Sequence, residues 1–160
     1  MVINVSDILR DAGLSRKINT SITLGVIKWQ GEPLQFSKPL PIKGNLTNIG
    51  GNVLILNLTV QGLVTMQCGL CLETYEQNLD FTFEARLMKS PDENDENNID
   101  VFIYEGNEIN LSEIVWEFLL LEIPIRKSCK EDCKGLCSQC GVNLNKKTCQ
   151  CDNVEENDPD

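Results

Sequence analysis

The stretch CKEDCKGLCSQCGVNLNKKTCQC, residues 129–151, places six cysteines within 23 residues of a chain that has no histidine among its 160. Two more, Cys68 and Cys71, stand far upstream in MQCGLCLE. Residues 126–151 carry few aliphatic side chains and cannot build a core of their own. Something other than apolar burial must fold them. A tetrahedral metal ion does so, because ligation supplies the folding free energy that burial cannot.

The spacing agrees. In Cys137-Ser-Gln-Cys140-Gly, two intervening residues let both thiolates point at one ion, and the following glycine relieves the backbone as amides turn towards sulfur. Cys68-Gly-Leu-Cys71 has the same form. Cys149 and Cys151 share one face of an extended backbone, and the spacing of Cys129 and Cys133 suits one helical turn. Reach then assigns the pairs. Residues 141–148 join Cys137 and Cys140 to Cys149 and Cys151 closely enough to close a small ribbon, whereas Cys68 and Cys71, at the end of a hairpin, need distant partners.

The expectation is a core site of Cys68, Cys71, Cys129 and Cys133, a tail site of Cys137, Cys140, Cys149 and Cys151, and two structural zinc ions. Grouping Cys129 and Cys133 with Cys137 and Cys140 is the alternative. An iron–sulfur cluster also takes four thiolates, but short knuckles followed by glycine fit zinc better. A dithiol redox protein needs a lone reactive pair, usually at a helix N-terminus, and CGLC lies between strands instead.

Cysteines point to metal rather than to disulfides where the compartment is reducing. The first twenty residues show no basic stretch followed by an apolar run, and IVWEFLLLEIPI is broken by two glutamates and a proline. A cytoplasmic chain without a membrane span is therefore expected. Without histidine there is no imidazole for a triad or general base, and no spacing singles out a carboxylate pair. No phosphate-binding glycine pattern is present, and Trp29 and Trp116 read as packing residues. The residues do not argue for an enzyme.

The net charge of −10 is concentrated in two places. DENDENNID (92–100) and DNVEENDPD (152–160) hold five acids each, and outside them 14 Lys and Arg face 14 Asp and Glu. Such runs read as a solvated loop and tail. Segment 126–151 reverses the sign, with Arg126, Lys127, Lys130, Lys134, Lys146 and Lys147 against Glu131 and Asp132.

Period-two alternation dominates the rest. INVSDILRDAG reads as a short strand and one or two helical turns begun by Ser6 and stopped at Gly13. Ile18, Ile22, Leu24 and Val26 alternate as one half-buried strand. LPIKGNLTN and VLILNLTVQGLVTMQ flank the tight turn IGGN as a hairpin. Leu79, Phe81, Phe83, Ala85 and Leu87 alternate after CGLC, and DVFIYEGNEI resumes as a strand. In NLSEIVWEFLLLEIP, Asn110 or Ser112 caps a helix whose apolar face is Ile114, Val115, Phe118 and Leu119, ended by Pro124. The predicted class is α+β: a mainly antiparallel, barrel-like β domain with one late helix over 1–125, a zinc-binding segment over 126–151, and an acidic disordered tail over 152–160.

VQGLVTMQCGLCLE, the late helix ending in LEIPI, CKGLCSQCGVNLN and the final Cys-x-Cys together resemble the YceD family, described as large-ribosomal-RNA-subunit accumulation proteins. The resemblance covers nearly the whole chain. It implies a bacterial or organellar protein needed for accumulation of large-subunit ribosomal RNA, acting on precursor RNA during assembly, with no catalytic residues to carry over.

Two partner classes follow. Lys127, Lys130, Lys134, Lys146 and Lys147 are the candidate RNA contacts, positioning phosphates without reading sequence. Alternatively, the acidic stretches hold a basic large-subunit ribosomal protein, and the protein is an adaptor or chaperone. A thiol redox protein is the third reading.

Overall fold

The computed structural model describes residues 1–89 and 101–151. The acidic runs 92–100 and 152–160, expected as solvated loop and disordered tail, lie outside the described residues. In chain order the elements are β1 (Val2–Asn4), β2 (Ser15–Ile22), β3 (Val26–Trp29), β4 (Glu32–Gln35), β5 (Leu40–Gly50), β6 (Val53–Gln67), β7 (Thr74–Met88), β8 (Val101–Ile103), β9 (Glu108–Asn110) and α1 (Leu111–Glu122). The result is a mainly antiparallel sheet with one late helix, as the alternation predicts.

The sheet is organised around β6, which turns at IGGN from β5 and pairs along its whole length with β7. On its other edge β5 pairs with the first half of β6, and β4 meets the second half at Gln35 and Thr65. β2 flanks β5, β3 flanks β4, and β8 adds to β7 in parallel. β1 and β9 form a separate pair. Even-numbered residues of β6 and odd-numbered residues of β7 face inward, so Leu54, Leu56, Leu58, Val60, Leu79, Phe83, Ala85 and Leu87 are buried. Each such Leu or Phe contributes about 1.5–3 kcal/mol by leaving water. Helix α1 lays Leu111, Ile114, Val115 and Leu119 on this layer, and Phe118 stacks on Phe83 with ring centroids 4.1 Å apart. Trp29 and Trp116 pack against the core.

Four local expectations are corrected. Residues 6–13 form turns rather than a helix. The Asn48 side chain, on β5, holds them there by donating to Ile8 O at 2.9 Å and Asp11 O at 3.1 Å, which competes with helical bonding over so short a run. The strand expected to run through Val26 breaks at Gly25, whose φ is +69°. Alternation then shifts by one, leaving Val26 65% exposed while Ile27 and Trp29 turn to the core. DVFIYEGNEI is two strands, because the last bond of β8 to β7 is the Tyr104 N–H to Met88 O, the Tyr104 hydroxyl then donates to Asn52 O, and β9 pairs with β1 instead. Asn110 occupies the cap position of α1 without a side-chain cap bond, and Ser112 Oγ instead accepts from the N-terminal ammonium.

Candidate metal centres

The β6–β7 turn is the first knuckle. Cys68 N–H donates to Glu73 O at 2.8 Å and Leu72 N–H to Cys68 O at 3.0 Å, folding Cys68 and Cys71 onto one side. The second knuckle repeats this pattern. Cys137 N–H donates to Val142 O at 2.9 Å, and Gly141 N–H to Cys137 O at 2.9 Å.

After α1 and Pro124 the chain returns to the sheet. The Lys127 ammonium pairs with Glu32 Oε2 at 2.5 Å on β4, and Lys127 O accepts the Gly69 N–H at 2.8 Å. This delivers Cys129, whose N–H points at Cys68 Sγ at 3.4 Å. Further on, Leu136 N–H donates to Leu70 O at 3.0 Å. Gly135 lets the chain pass this close: a Cβ there would stand 3.1 Å from Leu70 O, and its φ is +71°.

The structure thus brings the eight cysteines together as two sets of four: Cys68, Cys71, Cys129, Cys133 and Cys137, Cys140, Cys149, Cys151. Within each set the sulfurs lie within 4.8 Å of one another. Cys68 and Cys133 sulfurs are 3.9 Å apart and those of Cys71 and Cys129 3.6 Å. A disulfide needs about 2.05 Å. A tetrahedral ion at about 2.3 Å from each sulfur needs sulfurs roughly 3.8 Å apart, so the core set fits one. Both sets could hold a metal ion.

The electrostatics agree. Burial alone would raise the Cys68 thiol, but backbone N–H groups of Cys71, Cys129 and Leu70 converge on its sulfur and bring it down to about 6. Burial, then the thiols of Cys71 and Cys133, pushes Cys129 up to about 12. The tail set repeats this: backbone N–H groups of Cys140 and Gln139 lower Cys137 to about 6, while the Cys140 thiol and then burial push Cys151 up to about 12. In each set one sulfur is prepared as a thiolate while two others, Cys71 and Cys129 in the core set and Cys149 and Cys151 in the tail set, are held above the usual thiol value and resist further negative charge. A divalent cation removes that conflict. The core set is the more enclosed, with Cys68 and Cys71 buried, while Cys140 of the tail set is exposed.

The five candidate RNA-contacting lysines are placed unequally. Lys127 is engaged with Glu32 and its side chain is only 8% exposed. Lys130 lies 3.7 Å from Asp132, and Lys146 pairs with Glu73, a hydrogen bond that holds the ammonium above its usual value. Lys134 and Lys147 are exposed and form no ion pair among the described residues, as does Arg126. Sequence reasoning missed Glu32 and Glu73 as the partners that occupy lysines, and Asn145, whose Nδ2 donates to Cys133 Sγ at 3.4 Å. Only the position of Asn145 in the loop between two cysteine pairs could have drawn attention to it.

The profile described as Large ribosomal RNA subunit accumulation protein YceD matches residues 56–160, which include both cysteine sets. Over 52 residues the chain is 42% identical to the Large ribosomal RNA subunit accumulation protein YCED homolog 1, chloroplastic, of Arabidopsis thaliana. That match takes in 32% of this chain and 16% of the relative's length. No solved structure matches the chain. With its β6–β7 knuckle and cysteine-rich segment inside the matched region, the chain belongs to the YceD family of large ribosomal RNA subunit accumulation proteins.

Proposed function

We propose that this protein is a non-catalytic factor for accumulation of large-subunit ribosomal RNA, contacting precursor RNA or an assembly intermediate through residues 126–151 folded by two Zn²⁺ ions. The observation that carries the reading is the pair of all-cysteine sets, which ties a coreless basic segment to the end of the sheet. Zinc supplies folding free energy here, not chemistry: four thiolates leave no open position for substrate or water. Cys68 is buried, which disfavours a thiol redox role.

Within the segment, Arg126, Lys134 and Lys147 are the phosphate-contacting cations, because Lys127, Lys130 and Lys146 already have carboxylate partners. Phosphate contacts of this kind position a protein on RNA without reading sequence. Crosslinking to RNA in growing cells, followed by sequencing of what is attached, tests this. Enrichment of one region of large-subunit ribosomal RNA or its precursor is expected.

One observation favours an adaptor for a basic ribosomal protein. Between β8, β9 and α1 lies a groove of about 450 Å³ with Leu87, Phe102 and Ile114 in its lining and Glu105, Glu108, Glu113 and Glu117 around it. Background RNA together with co-purifying ribosomal proteins would move the function to that reading.

A further inference from the structure

The loop that belongs to the tail set touches a sulfur of the core set through the Asn145 side chain, while Lys146 of the same loop pairs with Glu73 beside the first knuckle. Asn145 Nδ2 lies 3.4 Å from Cys133 Sγ, its Oδ1 accepts the Lys134 N–H at 3.0 Å, and its own N–H donates to Asn143 Oδ1 at 3.0 Å. Asn143 bridges to Leu136, and Leu144 N–H donates to Gly135 O at 2.9 Å. One carboxamide therefore grips the last ligand of the core set from within the loop that joins Cys140 to Cys149. Whatever fixes Cys133 fixes that loop, and whatever fixes the loop fixes Cys133.

We propose that the two four-cysteine sites bind metal cooperatively and that Asn145 is the positioning residue that couples them. This rests on both sets being metal sites. A metal-bound sulfur carries more negative charge than a thiol, so the Asn145 N–H bond to Cys133 strengthens when the core site fills. The strengthened bond orders the 141–148 loop, which brings Cys149 and Cys151 to Cys137 and Cys140. Linkage is reciprocal, so each ion raises the other site's affinity by the same factor, here roughly tenfold for one hydrogen bond to a charged group.

Two of the three cations of the proposed RNA surface have their backbones held by the same asparagines. Lys134 N–H is bound by Asn145, and Lys147 N–H donates to Asn143 O at 3.1 Å. Loading of both ions sets the backbones that carry Lys134 and Lys147.

The test is a zinc titration of the full chain against a competing chromophoric chelator, with tail-site affinity measured with and without a working core site. Cys71→Ser disables the core site and should weaken the tail site about tenfold. In an Asn145→Ala background, adding Cys71→Ser should cause no further loss. Asn145→Asp keeps an acceptor for Lys134 N–H but sets a carboxylate against Cys133, and it should behave like the alanine variant. Equal tail-site affinity with and without Cys71 would overturn the proposal, as would coupling that survives in Asn145→Ala or Asn145→Asp. A chain that takes up no zinc at either site fails differently, by removing the metal reading itself.

Discussion

Leu72 holds in the first knuckle the place that Gly141 holds in the second. Each follows the second cysteine of its Cys-x-x-Cys, each donates its N–H back to the first cysteine's carbonyl, and both have positive φ, 61° and 72°. For a residue with a Cβ this conformation costs about 1–2 kcal/mol, which glycine avoids. Leu72 is half exposed, so little burial offsets the strain. Leu72→Gly should therefore raise the unfolding free energy by roughly 0.5–1 kcal/mol after the added chain entropy of glycine. Gly141→Ala should do the reverse, since nothing lies within 4 Å of the added Cβ and the effect is conformational strain alone. Urea unfolding of both variants with metal bound checks this, and two neutral substitutions would refute it.

The Lys127–Glu32 pair should respond asymmetrically to mutation. Lys127 is nearly enclosed while Glu32 is about half exposed. Glu32→Ala leaves an ammonium out of water without a partner, which should cost about 3 kcal/mol. Lys127→Met removes the enclosed charge and keeps most of the volume, so it should cost less than about 1.5 kcal/mol. Equal losses in chemical denaturation would show that the pair is solvated in solution.

The strands of β6 and β7 were legible in the sequence because one face of each is buried over most of its length, Leu54 to Met66 apart from Gly62 in β6 and Leu79 to Leu87 in β7, so period-two alternation is plain there. The sets of four cysteines were legible for a different reason: short spacings restrict which thiols can share an ion. What was not legible depends on distant neighbours. Lys127 and Glu32 are 95 positions apart, and nothing local marks the lysine as engaged. A count of basic residues gives the charge of a segment but not which ammonium groups are already paired. Val26 is similar, since one glycine at positive φ shifted the face of every later residue in its strand.

If Lys134 and Lys147 contact phosphates, their loss should appear in the salt dependence of RNA binding. Each phosphate contact contributes about 0.7 to the slope of log K against log salt for single strands and about 0.9 for duplexes. Lys134→Gln with Lys147→Gln should reduce the slope by about 1.4–1.8, uniformly across RNA sequences. Lys146→Gln should change it less, because Glu73 already engages that ammonium. A filter-binding series from low to moderate salt measures both. A slope unchanged by the double substitution would remove these lysines from the interface.

Chelation should unfold one part of the chain and leave the other. The sheet is held by long ladders from β2 to β7 and by a continuous apolar layer, none of which needs an ion. Residues 129–151 have only a few backbone bonds, such as Leu136 N–H to Leu70 O and Leu144 N–H to Gly135 O, and these depend on the knuckles staying closed. Removing metal with a strong chelator should drop amide protection of Leu136, Cys137 and Leu144 to that of an unfolded peptide. Leu56, Leu58 and Phe83 should keep theirs, because their pairing is set by burial on β6 and β7. Hydrogen exchange with and without chelator separates the outcomes. Loss of protection throughout would mean that the metal holds the sheet as well, and no loss anywhere would mean that the thiols fold the segment without an ion.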